Sequence, residues 1–252
     1  PDDEDGIVEA VREGATHIWA NTILFAQHPL QTSLSLAAQE KEIYVVGQPP
    51  RSVELFDDKH LVNQFLRSQS GLILPKAVTI CDLASLNEAL RTDRIPFPLV
   101  AKPVRGRGSY GVKLCQNKDE LECHARNLIL ESPGVIIEEY LSGEEATVTV
   151  MPPSIQKPEY RAMPVVTRFN HMDGIAPYNG VVAIMKNSRV VTQQEFESDP
   201  TYAHMMEQCV AVAKLLQCRA PIRIDVRRFD DSPRSAFALF DVNVKPVSER
   251  SL

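Results

Sequence analysis

Residues 97–113 read Phe97-Pro98-Leu99-Val100-Ala101-Lys102-Pro103-Val104-Arg105-Gly106-Arg107-Gly108-Ser109-Tyr110-Gly111-Val112-Lys113. A short apolar strand delivers Lys102 and breaks at Pro103. A loop follows with Gly106, Gly108, Ser109 and Gly111, carrying Arg105 and Arg107, and the chain returns as Val112 to Cys115. Glycines at this spacing let backbone N–H groups turn toward an anion without interference from a Cβ. The strand lysine adds a point charge suited to phosphate. No Gly-Lys-Ser/Thr opens a helix, so the stretch is not a Walker P-loop. It reads as a glycine hairpin between two strands, folding over a nucleotide's phosphates. A solvated glycine hairpin with two loop arginines is the competing reading.

At 252 residues the chain can bury a sizeable core, in one large domain or two to three small ones. A 44% apolar and 24% charged composition is that of an ordinary globular protein. The net charge of −6 argues against a nucleic-acid binder held by a general basic field. No apolar run approaches the roughly 20 residues of a membrane span, and no basic-then-apolar signal opens the chain. A cytoplasmic protein with no nucleic-acid or membrane partner is expected. The cysteines Cys81, Cys115, Cys123, Cys209 and Cys218 form no CxxC pair, which favours reduced, mostly buried thiols over zinc. The first residue is Pro1, which leaves the native start open.

Residues 3–13 read as a short helix capped by Asp2 or Asp3. Short apolar strands at 16–20, 23–26 and 43–46 flank a helix running from His28-Pro29 to about Gln39, a parallel α/β unit of small size. Gln48-Pro49-Pro50 reads as a turn. Helices follow over about 57–69, 83–90 (capped by Asp82) and 118–130, with strands at 77–81 and 135–137. Glu145–Met151 is a strand with 161–168 as its antiparallel neighbour, and Gln193–Cys218 is helical in pattern. Residues 169–180 form a long polar loop, more suited to a lid than to a passive link. Ile222–Phe229 and Ala236–Val244 pair across the turn Asp230-Asp231-Ser232-Pro233.

Three places carry chemistry. The first is Lys102 with its hairpin. The second is Glu138-Glu139-Tyr140-Leu141-Ser142-Gly143-Glu144-Glu145, a strand running into a link that can offer backbone groups and carboxylates to a purine and its ribose hydroxyls. The third is Arg223-Ile224-Asp225 facing Asp241-Val242-Asn243. Polar residues two apart on a strand share one face, so Asp225, Asp241 and Asn243 would form an oxygen cluster beside Arg223. Oxygen ligands with phosphate suit Mg²⁺, and two such ions could neutralise charge during phosphoryl transfer. A solvated sheet face is the alternative for each carboxylate pair. Lys59 also reads as a surface helix lysine, Arg227 and Arg228 as surface or ion-pair residues. His17, His28 and His204 show no metal spacing.

In this order the motifs resemble the ATP-grasp superfamily, and within it the D-alanine–D-alanine ligase type of carboxylate–amine ligase. The resemblance covers about residues 55–246. It implies an α/β (α+β) ATP-grasp fold of two subdomains gripping the nucleotide, residues 75–141 and 142–252, after a truncated Rossmann-like pre-ATP-grasp domain over 1–74. It also implies ATP as co-substrate, two Mg²⁺ ions, small carboxylate and amine substrates, and ligation through an acyl phosphate. A homodimer is left open. Lys59 and Lys102 would contact ATP phosphates, with Gly106, Gly108, Ser109 and Gly111 closing over them. Glu138, Glu139, Tyr140 and Leu141 would line the adenine pocket, and Glu145 would meet the ribose. Asp225, Asp241 and Asn243 would ligate magnesium, Asp241 standing where the family more often has Glu. Arg223 would join Lys102 as a catalytic residue, stabilising the acyl phosphate and the tetrahedral intermediate. The lid would include Tyr178-Asn179-Gly180. Beyond Asn243, Lys245-Pro246-Val247 departs from the family's Pro-Gly continuation, so the alternatives are a ligase for another acid or amine, or an ATP-binding relative without turnover.

Overall fold

The computed structural model describes residues 3–19, 27–38, 43–92, 95–106, 108–176 and 186–244. The chain runs α1 (Glu4–Arg12), β1 (His17–Trp19), α2 (Pro29–Thr32), α3 (Leu34–Ala37), β2 (Tyr44–Val46), α4 (Pro50–Phe56) and α5 (Lys59–Arg67). Next come β3 (Ala77–Ile80), α6 (Leu83–Thr92), β4 (Leu99–Pro103), β5 (Lys113–Cys115), α7 (Lys118–Glu131) and β6 (Val135–Glu139). The remainder is β7 (Glu145–Met151), β8 (Arg161–Ala162), β9 (Val166–Arg168), β10 (Ser188–Val190), α8 (Gln193–Ser198), α9 (Pro200–Leu215), β11 (Ile222–Arg228) and β12 (Phe237–Asn243).

Strands β1 and β2 pair in parallel, His17 opposite Tyr44 and Trp19 opposite Val46, as the first α/β pattern requires. A four-stranded antiparallel sheet has the order β3-β6-β4-β5. A larger sheet has the order β10-β9-β7-β11-β12, with β8 beside β9 on the same edge of β7.

Four local readings need correction. The helix expected over 29–39 is two short ones, because Ser33 turns extended (φ −75°, ψ 124°) and its Oγ caps α3 through Leu36 N–H at 3.1 Å. The helix expected over 193–218 breaks before Pro200, which has no N–H and pushes Asp199 out of the helical region. Asp199 then caps α9 from Thr201 N at 2.9 Å. Pro164 interrupts the strand expected over 161–168, splitting β8 from β9, since a proline cannot donate to a sheet. Pro49-Pro50 opens helix α4 rather than only turning, the proline ring being preset for a first helical turn. The strand expected at 23–26 and the residues Tyr178-Asn179-Gly180 lie outside the described residues.

Two apolar cores fix the sheets. Ile222, Ile224 and Val226 of β11 join Val148 and Val150 of β7 against Met205, Cys209 and Val212 of α9, with Val62 and Leu66 of α5 in the same cluster. Each such side chain contributes roughly 1.5–3 kcal/mol by leaving water. Alternation therefore turns Arg223, Asp225 and Arg227 to the other face. In the smaller sheet Leu99, Ala101, Cys115, Val135 and Ile137 pack on Leu86 of α6 and on Leu121, Ala125 and Leu128 of α7. The same alternation turns Lys102 and Glu138 away from that core. All five cysteines are free thiols and three are buried, with burial pushing the Cys218 thiol up to about 12. No described helix is long and apolar enough to cross a membrane.

Candidate active site

Lys102 is 4% exposed and joins the two sheets. Its Nζ lies 2.6 Å from Glu138 Oε1 on the neighbouring strand and donates to Phe240 O on β12 at 3.0 Å. That carbonyl is available because β12 carries a bulge. Asp225 pairs with Asp241 but Val226 pairs with Leu239, so Phe240 is the extra residue and its backbone leaves the regular ladder. The lysine also stands 5.7 Å from the centre of the Phe240 ring.

The oxygen cluster forms as alternation requires. Arg223 is opposite Asn243 and Asp225 opposite Asp241. Arg223 Nε and Nη2 hold the two Asp225 oxygens at 3.1 and 3.2 Å, and Asn243 Nδ2 reaches Asp225 Oδ2 at 3.1 Å and Asp241 Oδ2 at 3.4 Å. Burial pushes the Asp225 carboxyl up, with Arg223 opposing. For Asp241 burial acts in the same direction, but Lys59, Lys102 and Arg223 outweigh it and hold the carboxyl below its ordinary range. Two facing carboxylates are thereby driven apart in acidity. Asp225 in turn raises the Arg223 guanidinium.

Lys59, at the start of α5, is not a free surface lysine. Its Nζ donates to Gly106 O at 3.0 Å and stands 3.4 Å from Asp241 Oδ1, tying the glycine hairpin to the acidic cluster. The backbone adds Lys59 N–H to Val104 O at 2.9 Å, and Arg105 closes the same junction through Glu54 at 2.9 Å and Asp58 at 3.6 Å. Within the hairpin Gly108, Ser109 and Gly111 all have positive φ, 60°, 59° and 71°. A Cβ on Gly111 would also meet Leu128 Cδ2 at 2.9 Å, so glycine is required there twice over. Arg107 lies outside the described residues.

Along the second motif Glu138 is buried, and burial raises its carboxyl against the opposing Lys102. Its Oε2 makes no hydrogen bond among the described residues. Glu139 exchanges backbone and side-chain contacts with Lys76, at 2.9 and 3.3 Å, and Leu141 is buried. Tyr140 carries the Arg227 guanidinium 5.0 Å from its ring centre. Glu145, 4% exposed, is ringed by His171 Nε2 at 2.8 Å, Arg227 Nη1 at 3.8 Å and Arg168 Nη1 at 3.9 Å.

Sequence reading misses two of these partners. Arg227 is buried, donating to Gly143 O at 3.0 Å, Gly174 O at 2.7 Å and Tyr140 Oη at 3.2 Å; only its position two residues beyond Asp225 hinted at this. His171 sits in the 169–176 segment, where no periodicity marks it. Arg228 is the ion-pair residue of the two alternatives, 2.7 Å from Asp199 and 4.0 Å from the Phe237 ring centre. His17 stacks on Tyr44 and His28 caps α2, both structural.

The donor set accommodates a hard divalent cation. Asp241 Oδ1 is buried and makes no aligned hydrogen bond among the described residues, Lys59 approaching only as an ion pair. With Asp225 and Asn243 alongside, the cluster is rich in oxygen, two carboxylates and an amide; among the described residues no group of three His, Cys, Asp or Glu could hold a metal ion.

The family model of the D-Ala–D-Ala ligase C-terminus matches residues 77–247. The D-alanine–D-alanine ligase of Bacillus anthracis is 28% identical over 193 residues, covering 75% of this chain and 57% of the relative. That of Aquifex aeolicus is 27% identical over 145 residues, covering 57% and 45%. The match thus spans about half the length of these relatives, 57% of the first and 45% of the second. Among solved structures, the B. anthracis D-alanine–D-alanine ligase complexed with ATP superposes with a TM-score of 0.66 at 19% identity, over 97% of this chain and 72% of that one. The N5-carboxyaminoimidazole synthetase of Staphylococcus aureus complexed with ADP gives 0.70 at 16%, over 98% and 58%. These likenesses show the ATP-grasp fold that the motif order implies, and the chain belongs to the D-Ala–D-Ala ligase C-terminal domain family.

Proposed function

We propose that this chain binds ATP with Mg²⁺ between its two sheets and works as a carboxylate–amine ligase. The observation that carries the reading is the meeting of Lys59, Lys102, Asp225, Asp241 and Asn243 from four separate stretches of sequence. The smaller subdomain, 75–141, would bring Lys102 and the glycine hairpin; the larger, 142–252, the acidic face. Lys59 and Lys102 would meet the phosphates as cations, and the hairpin N–H groups of Gly106 to Gly111 would fold over them. Glu138 to Leu141 would border the adenine and Glu145 the ribose hydroxyls. Asp225, Asp241 and Asn243 would hold magnesium, which would supply positive charge against the phosphates.

In the ligation a substrate carboxylate oxygen attacks the γ-phosphorus and ADP leaves. An amine then attacks the acyl carbon of the acyl phosphate, and inorganic phosphate departs. Arg223, fixed by Asp225, would face the charge that builds on the acyl oxygens. The purified chain, mixed with ATP, Mg²⁺ and a panel of D-amino acids including D-alanine and D-serine, should release ADP and phosphate only when an amino acid is present. Arg223→Ala should abolish that release while ATP still binds. ATP binding with no release across the panel would leave a ligase for another acid or amine, or a nucleotide-binding relative without turnover.

A further inference from the structure

The carboxylate of Glu145 takes its closest contact from outside its own sheet, two arginines of that sheet standing further off. Among the described residues its one hydrogen bond comes from His171 Nε2, at 2.8 Å on Oε2, while the nearest cation to Oε1 is Arg168 at 3.9 Å. His171 is delivered by a segment shaped to place it. Phe169 N–H bonds Asn187 O at 2.9 Å and Asn170 Nδ2 bonds Lys186 O at 3.1 Å. Asn170, Asp173 and Gly174 all take positive φ, at 57°, 49° and 78°. Gly174 O accepts from Arg227 at 2.7 Å, and a Cβ on Gly174 would lie 2.8 Å from both Leu114 Cδ2 and Tyr140 Oη. The segment is thus pressed between the glycine-hairpin strand and the 138–145 motif, with His171 aimed at Glu145.

We propose that His171 is a positioning residue for ribose recognition: by fixing Oε2 of Glu145 it leaves Oε1 to accept from a ribose hydroxyl. The inference rests on the nucleotide reading above and assigns a role within it. It makes the 169–176 segment, and not the strand alone, the determinant of how the sugar is read.

The test compares calorimetric affinities for ATP and 2′,3′-dideoxy-ATP, with Mg²⁺, in wild type and three variants. His171→Ala and His171→Phe remove the donor, the second keeping the ring's bulk should the first fail to fold; His171→Gln keeps an N–H. Wild type should prefer ATP by about tenfold, the worth of one charge-assisted hydrogen bond. Both donor-free variants should lose that preference with dideoxy-ATP affinity unchanged, and His171→Gln should retain most of it. An undiminished preference in the donor-free variants overturns the proposal, as does tighter ATP binding in them, which would make His171 a competitor of the ribose. Equal wild-type affinities would also overturn the proposal, by removing the ribose role of Glu145, and would leave the nucleotide reading standing. A folded wild type that binds neither nucleotide would overturn the nucleotide reading itself.

Discussion

Glu138 and Glu145 sit at the two ends of one eight-residue motif, equally buried at 4% exposure, and are held in opposite ways. Glu138 has Lys102 at 2.6 Å and one oxygen without a hydrogen bond. Glu145 has three cationic or ring-nitrogen partners between 2.8 and 3.9 Å, from β9, the following segment and β11. Glu138 therefore depends chiefly on one contacting cation that also ties the two sheets, with Arg67 acting from further away, whereas Glu145 shares its charge among several close partners. A buried carboxylate with one partner is structurally critical; one with several partners can lose a member and be retuned.

The largest effect should follow Lys102→Met, which strands Glu138 in a dry site and removes the bond to Phe240 O. We expect a loss of about 3–5 kcal/mol in urea unfolding, most of it regained by adding Glu138→Met. An equally unstable double variant would show that Lys102 matters for packing rather than for charge. Arg227→Met comes next, at roughly 2–4 kcal/mol, because the Gly143 and Gly174 carbonyls both lose their arginine donor. His171→Ala should cost less than about 1 kcal/mol, since its side chain is 19% exposed and two arginines remain near Glu145. A cost approaching that of Lys102→Met would erase the contrast between the two carboxylates.

The smallest effect concerns a carboxylate outside the site. Glu195 is hydrogen-bonded by Arg189 and by the backbone and side chain of Thr192, which lower it from 4.5 to about 2. Its folded value lies below its unfolded one, so its stabilisation is complete above about pH 4.5 and fades as pH falls toward 2. The difference in urea midpoint between wild type and Glu195→Gln should narrow across that window.

Much of this site is legible in the sequence because strands have period two. Spacing alone puts Arg223, Asp225 and Arg227 on one face, and Asp241 with Asn243 on another, and the short turn between them pairs the two. The pairing of Lys102 with Glu138 is not legible, since it depends on the register that sets Val100 opposite Glu138. The bulge at Phe240 is hidden as well: residues 237–240 are all apolar, so no change of residue type marks where the ladder skips one residue. Arg227 reads as a surface or ion-pair residue because the groups that cover it come from Gly143 and Gly174, distant in sequence. His171 sits in an aperiodic segment, so only the folded chain brings it to Glu145. The proline errors share one cause. The same residue opens α4, starts α9 and splits β8 from β9, and which of these occurs depends on what its missing N–H would have bonded.

The most direct test of the central claim is calorimetric titration of ATP into the folded chain, with and without Mg²⁺, for wild type and Asp241→Asn. Wild type should bind ATP more tightly with Mg²⁺ than without it. Asp241→Asn should lose that enhancement while still binding the metal-free nucleotide. No ATP binding by folded wild type, or an Mg²⁺ enhancement indifferent to Asp241, would contradict the account.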